Sequence, residues 1–372
     1  MKKPVPVVLL LTVAAAAVLM LGAIAGCGKS GSLVTGPDDS ASSLAGLHAT
    51  AAELHSAMRI QESHTPELLR MPGVVGTAVT ADATGRPAVL VLTESAMGPG
   101  RLPLQLDGLR VIEQVTGKIH AYRGHGGTSH TAKQTPPIQL GTSGGNVNDI
   151  SNGFCCSGTL GSLVKIGSTQ YILSNSHVFA GDVVSGGNGR VSQIGDDVNQ
   201  PGLVDNNCST SNTNIVADVS SLSTLFGSGS ANVDCAIAQV RAGMVSSTGA
   251  ILEVGTLSAS TVAASVGQAV KKSGRTTGLT RSSISGLNAT ITVGYEDECG
   301  GNQLTKQFTG QILVTNSASR FLNSGDSGSL MVEDVTTNPR AVGLLFAGSS
   351  TIAVANPIGS VLSHFGATMV GN

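Results

Sequence analysis

The segment Asn323-Ser-Gly-Asp-Ser-Gly-Ser329 sets a serine hydroxyl between two glycines and beside a carboxylate. Two segments upstream, Leu173-Ser-Asn-Ser-His-Val178 and Val233-Asp-Cys-Ala-Ile237, supply an imidazole and a second carboxylate. A serine hydroxyl is a weak nucleophile. For acyl transfer it needs a base to take its proton, a carboxylate to orient that base, and amide donors for the oxyanion that develops on the substrate carbonyl. In this reading Ser327 is the nucleophile, His177 the base and Asp234 its orienting acid. Gly325 can take the backbone shape that turns its own N–H and that of Ser327 into one small cavity, and Gly328 leaves room for a substrate carbonyl.

Taken alone, Gly-Asp-Ser-Gly reads equally well as a surface turn. The setting of the three residues argues for more. His177 follows the β-rich run Gln170-Tyr-Ile-Leu-Ser174, Asp234 opens the strand-like run Cys235-Ala-Ile-Ala-Gln-Val240, and Ser327 precedes Leu330-Met-Val332. The order His, Asp, Ser is that of the chymotrypsin type, and the Gly-x-Ser-x-Gly elbow of the α/β-hydrolases fails because Ser329 stands where its last glycine belongs.

A second motif, Val270-Lys-Lys-Ser-Gly-Arg-Thr-Thr-Gly278, accompanies the first. With it, the chain from about residue 150 onward resembles the trypsin-like peptidases, particularly the bacterial branch of α-lytic protease and the streptogrisins, which carries Ser-Gly-Arg-Thr-Thr-Gly early in its second β-barrel. The resemblance implies an all-β double β-barrel domain with the catalytic groups in the cleft between barrels. His177 and Asp234 then fall in the first barrel, about residues 150 to 243, and Ser327 in the second, about 262 to 362. It implies a serine endopeptidase that acts on protein or peptide substrates through an acyl-enzyme and needs no cofactor. The oxyanion hole would be the amides of Gly325 and Ser327, and one wall of the primary pocket would be Leu345, Phe346 and Ala347. Lys272, with Arg275 in reserve, would neutralise Asp326 in the oxyanion loop. Phe321 stands six residues before Ser327, where an acid would set a demand for Arg or Lys, so small or medium apolar side chains are the expected targets. Three positions depart from the pattern: Val178 and Lys271 replace cysteines, and Ser329 replaces a glycine.

Composition agrees with a folded, β-rich protein. The 372 residues are 41% hydrophobic and only 12% charged, enough for two domains, and 49 glycines with 3% aromatics suit short strands joined by tight turns. A formal net charge of −2 without a long basic run excludes a nucleic-acid partner.

The elements that must position the site divide the chain. Residues 1–26, with Lys2 and Lys3 before the apolar run Val7 to Ala25, read as a secretory signal, and Ile24-Ala-Gly-Cys27 resembles a bacterial lipobox whose cysteine becomes lipid-modified. Cys27 would then hold the exported protein to a membrane, with Gly28 pointing to the outer membrane or cell surface. Residues 27–46 read as a flexible tether, and 47–122 as a small α/β domain of one helix, interrupted or restarted at Pro66, and about three strands. Residues 123–148 read as a linker and 149–372 as the protease-like domain. Six histidines, His48, His55, His64, His120, His125 and His130, lack the spacing of a helical metal site, so no metal is expected. Beyond Cys27 there are five cysteines, which allow at most two bridges, and the adjacent Cys155 and Cys156 can hardly reach partners in the same direction. Cys235, beside Asp234, is expected to pack or bridge rather than react. The competing reading is a catalytically silent lipoprotein that uses the barrels as a binding or adhesion module.

Overall fold

The computed structural model describes residues 3–4, 47–121, 128–184 and 192–372. Two antiparallel, barrel-like sheets dominate it, in keeping with the expected all-β double barrel. The first follows the order Gly158–Leu160, Thr142–Asn146, Asp197–Gln200, Asn214–Leu222, Ala236–Val240, Thr169–Ser174, Ser162–Ile166 and Thr368–Met369. Its core gathers Leu140, Leu160, Ile172, Leu173, Val216, Ile237 and Leu344 among others.

The second barrel runs Ala269–Gly274, Leu330–Glu333, Ala341–Gly348, Ile352–Pro357, Gln303–Thr315 and Gly278–Glu296, and it closes because Ala269–Gly274 also pairs with Gly278–Glu296. Closure covers residues 278–283 of the long strand, and its remainder keeps an edge for other partners. The long strand Gly278–Glu296 serves more than the barrel. Register shifts between Ile284 and Gly286, Gly286 and Ala289, and Ala289 and Ile291 bend it, and Asn288 takes a positive φ of 53° there.

Within that bulged stretch, at Leu287, Thr290 and Ile291, the strand pairs with the amino-terminal segment. Val74–Ala81 joins it antiparallel, and Pro87–Thr93 and Leu109–Val115 follow, so the helix and strands expected for residues 47–122 share one sheet with the second barrel. Both faces of Val74–Ala81 and Pro87–Thr93 are largely buried, which suits their nearly continuous apolar sequences. At Gly76 a Cβ would stand 2.8 Å from the Thr290 carbonyl oxygen, so the close pairing requires glycine. The helix Ala51–Leu68 starts on a capping box between Thr50 and Glu53. It runs through Pro66, contrary to the expected interruption, and ends two residues later at Leu68.

The linker expected at 123–148 is also shorter than its sequence suggests. Ile138 and Leu140 are fully buried, and Thr142–Asn146 is a strand of the first barrel. Glycine and proline masked a short strand whose own side chains are small. Among the described residues no helix is long and apolar enough to cross a membrane. The apolar run 7–25 and Cys27 lie outside the described residues.

The adjacent cysteines do reach separate partners. Cys155 bridges to Cys208 within the first barrel, and Cys156 to Cys299 beyond the end of the long second-barrel strand. Neighbouring side chains on extended backbone point to opposite faces, which resolves the directional difficulty. Cys235 is a buried free thiol, pushed up by burial and by the Asp234 carboxylate, and is thus held in its unreactive form.

Candidate active site

Asp234 is fully buried, and its hydrogen bonds account for how His177 is placed. Oδ1 accepts the backbone N–H groups of Ser176 (2.7 Å) and His177 (3.3 Å), the first N–H groups of the helical turn Ser176–Phe179. Those are the groups a helix leaves unsatisfied, so the carboxylate acts as the cap of the turn that carries the histidine. Oδ2 receives His177 Nδ1 at 2.5 Å and the Tyr295 hydroxyl at 3.0 Å. The backbone of Asp234 is held as well: its N–H donates to Asn356 Oδ1, and its carbonyl accepts from the amides of Asn175 and Asn356. Tyr295 and Asn356 belong to the second barrel, so this acid is fixed from both sides of the junction. Burial, with the nearby carboxylate, drives the Tyr295 phenol well above its usual range and keeps it a donor.

Ser327 sits in the turn before Leu330–Glu333, with its Oγ donating to the Phe346 carbonyl at 3.2 Å. Gly158 separates this turn from the histidine: a Cβ there would lie 2.6 Å from Val178 Cγ2 and 2.9 Å from the Ser327 carbonyl oxygen. Val178, where the resemblance leads one to expect cysteine, thus packs over a glycine. Gly325 (φ 98°) and Gly328 (φ 93°) hold the left-handed conformations that the turn requires. Thr159 of the first barrel accepts nothing from this loop and donates twice, Oγ1 to the Gly325 carbonyl and N–H to the Ser327 carbonyl.

The orientation of the Gly325 and Ser327 amides, the expected oxyanion donors, follows from their peptide partners. Thr276 Oγ1 donates to the Ser324 carbonyl at 2.6 Å, and the Ser329 N–H donates to the Asp326 carbonyl at 2.9 Å. In a trans peptide the N–H points opposite to the C=O, so the Gly325 and Ser327 N–H groups face away from both clamps. Asp326 is bound into the same segment. Its Oδ1 accepts the N–H groups of Thr276 and Thr277, and its Oδ2 accepts the Asn323 N–H and the Thr277 hydroxyl.

Lys272 Nζ lies 3.3 Å from Asp326 Oδ2, with both side chains fully buried. The ammonium also donates to Thr277 Oγ1 and the Gly278 carbonyl. Burial lowers the Lys272 ammonium, and Asp326 opposes that shift. Arg275, the expected reserve, is committed elsewhere: it forms a bidentate pair with Asp205 of the first barrel, its planar fork matching the carboxylate. Ser329 faces Gly274, where a Cβ would lie 2.2 Å from its Oγ, so the extra hydroxyl fits because the strand opposite has glycine.

The three pocket residues Leu345, Phe346 and Ala347 are fully buried. Leu345 packs with Phe321 and Leu322, while Phe346 meets Phe308 edge-on at 5.0 Å between ring centroids. The outer edge of that strand is already paired. Ala121 stands opposite Ala347 and His120 opposite Gly348, and on its other side the same short strand, Ile119–Ala121, pairs with Val293 and Gly294. The described histidines of the amino-terminal half are dispersed: His64 meets Asp107, and His130 is buried against Ser273 and Glu253. His125 lies outside the described residues.

Motif reading alone missed Thr159, Thr276, Asn356 and Tyr295. Tyr295 had one available signal, as one of only three tyrosines in the chain.

Residues 213–355 match the family model of the Nal1 C-terminal domain, a stretch shorter than half the chain that contains Asp234 and Ser327 but not His177. A comparison with curated proteins found no match. Solved structures similar to this chain include Thermobifida fusca Protease A, at 21% identity over 63% of this chain and 99% of that one, with a TM-score of 0.40. Cellulomonas bogoriensis chymotrypsin is 18% identical over 63% and 99% of the two chains, at 0.37, and Nocardiopsis protease 15% identical over 62% and 98%, at 0.38.

The Lys272–Asp326 pair generates a prediction. Removing one partner of a buried ion pair leaves the other uncompensated, so Lys272→Met is expected to destabilise the fold by about 3–5 kcal/mol and to abolish turnover by releasing the oxyanion loop. Denaturant unfolding and peptide hydrolysis measured on the same preparation check this, and wild-type stability in the variant would contradict the pairing.

Proposed function

We propose that this chain is an exported serine endopeptidase. The observation that carries the reading is the buried Asp234–His177 hydrogen bond at the barrel junction that also holds the Gly-Asp-Ser-Gly turn. Ser327 Oγ attacks the scissile carbonyl as its proton passes to His177 Nε2, and Asp234 stabilises the imidazolium. The oxyanion is held by the Gly325 and Ser327 amides. The C–N bond then breaks, the proton moves from His177 to the leaving amine, and an ester remains on Ser327. Water attacks that ester, His177 takes its proton and returns it to Ser327 Oγ, and the acid product leaves. Each step uses side chains of this chain alone, so no cofactor enters.

The resemblance puts Leu345, Phe346 and Ala347 at the primary pocket; all three, with Phe321, are buried in the second-barrel core, so the proposed preference rests on their apolar character alone. No carboxylate stands at these positions to meet a basic side chain, so cleavage falls after small or medium apolar residues. One observation favours the second reading, a silent binding module: Ile119–Ala121 takes the backbone edge of Ala347 and Gly348, where an extended peptide would add a strand. A peptide-library digest with the full chain separates the two. Cleavage after apolar residues that disappears in Ser327→Ala is the expected result; no cleavage by a folded protein would favour the binding module, and dominant cleavage after Arg, Lys or Glu would overturn the assigned pocket.

The same proposal places the protein on a membrane through lipidated Cys27, since several acyl chains on one residue hold a bilayer stably. Cys27→Ala is expected to move the protein from the membrane fraction to the soluble fraction. Retention in the membrane fraction would remove the lipoprotein assignment.

A further inference from the structure

Asp234 Oδ2 receives two donors, His177 Nδ1 at 2.5 Å and the Tyr295 hydroxyl at 3.0 Å. Tyr295 lies near the end of the strand Gly278–Glu296, on the opposite barrel from the acid it touches. Its ring is locked by edge contacts with Phe226 at 5.7 Å and with the His177 imidazole at 5.8 Å, and by a tilted contact with Phe308 at 6.2 Å. A buried phenol is retained in an apolar ring cluster only if its hydroxyl finds a partner, and here the partner is the carboxylate.

We infer that Tyr295 is a positioning residue for catalysis: its hydroxyl fixes Asp234 Oδ2 from the second barrel and sets how strongly that oxygen pulls on the His177 imidazole. The inference rests on the proposed peptidase chemistry for its consequence in turnover, but its geometry stands apart from that reading. An oxygen that shares its lone pairs with a second donor is less basic, and so stabilises the imidazolium less. The Tyr295 bond therefore tempers the pull of Oδ2 on the His177 imidazole while holding the carboxylate in place. It also couples the barrels, because any sliding of the strand Gly278–Glu296 is transmitted to the acid.

The other charged and titratable groups around Asp234 do not replace this bond. The Lys306 ammonium, on the neighbouring strand Gln303–Thr315, is partly buried and attracted by Asp234. It lies over the Phe308 ring, 5.1 Å from the centroid. The Cys235 thiol is kept protonated by burial and by Asp234. Neither supplies a second hydrogen bond to Oδ2 in the place of the phenol.

Tyr295→Phe retains the ring and deletes only the donor. In the full chain it is expected to lower kcat roughly tenfold at nearly constant KM. The His177 imidazole, followed by nitrogen NMR, is expected to titrate higher by on the order of half a pH unit, and the acid limb of kcat/KM to move with it. Phe308→Leu, which disturbs the same ring cluster without touching the hydroxyl, is expected to leave the titration in place; equal movement in both variants would reduce Tyr295 to packing. Should Tyr295→Phe fail to fold, replacing the tyrosines with fluorotyrosine strengthens the donor and is expected to move the titration down. An unmoved His177 titration in the folded Phe variant, or in the fluorinated protein, overturns the inference. The imidazole signal needs no substrate, so a wild-type protein without peptidase activity would defeat the proposed function and leave the positioning role standing.

Discussion

A carboxylate closed off from water must have its charge met by donors, and at Asp234 this fold meets that demand across the barrel junction. Two backbone N–H groups, an imidazole and a phenol converge on its side chain. The consequences spread outward. The same carboxylate that holds His177 Nδ1 through Oδ2 caps the turn Ser176–Phe179 through Oδ1, so placement of the imidazole and capping of its turn are linked. Because the phenol and Asn356 come from the second barrel, the two barrels cannot separate without leaving a buried acid short of donors. Position of the base and docking of the barrels are thus one constraint.

The oxyanion loop depends on a second set of buried charges organised by Ser273-Gly-Arg-Thr-Thr-Gly278. Arg275 reaches to Asp205 in the first barrel, while Thr276 and Thr277 turn back to Asp326 and the Ser324 carbonyl. Lys272 lies behind them as counter-charge. Gly274 permits the approach, since a Cβ there would stand 2.7 Å from Asp326 Oδ1. One short segment therefore ties the first barrel to the loop and sets the peptide planes that aim the Gly325 and Ser327 amides. Such ion pairs contribute little net stability compared with apolar packing, and their value lies in fixing a geometry.

Much of this was legible in the sequence where residue type dictates geometry. The three chemical segments, the strand runs around them and the turn glycines of the Ser327 loop each carry a local signature. The helix at 51–68 was legible from its helix-favouring composition, but Pro66 misled, since the helix runs through it and ends two residues later. The strand Thr142–Asn146 was hidden because its Thr-Ser-Gly-Gly-Asn sequence has no apolar alternation, and packing against Leu160 confines it instead. Pairings such as Ala121 with Ala347, or Tyr295 with Asp234, join residues far apart in sequence and leave no periodic trace. Arg275 shows the same limit from the other side: it was expected as a reserve partner for Asp326, yet it pairs with Asp205, a residue that no motif marked.

The central claim is that Ser327 is an activated nucleophile, held ready by the Asp234–His177 pair. Treating the folded full chain with a fluorophosphonate probe, followed by mass mapping of the labelled peptide, measures this without any assumption about substrate. The account predicts one covalent adduct, on Ser327, that disappears in His177→Ala. A folded protein that stays unlabelled, or that carries the adduct on another serine, would contradict it.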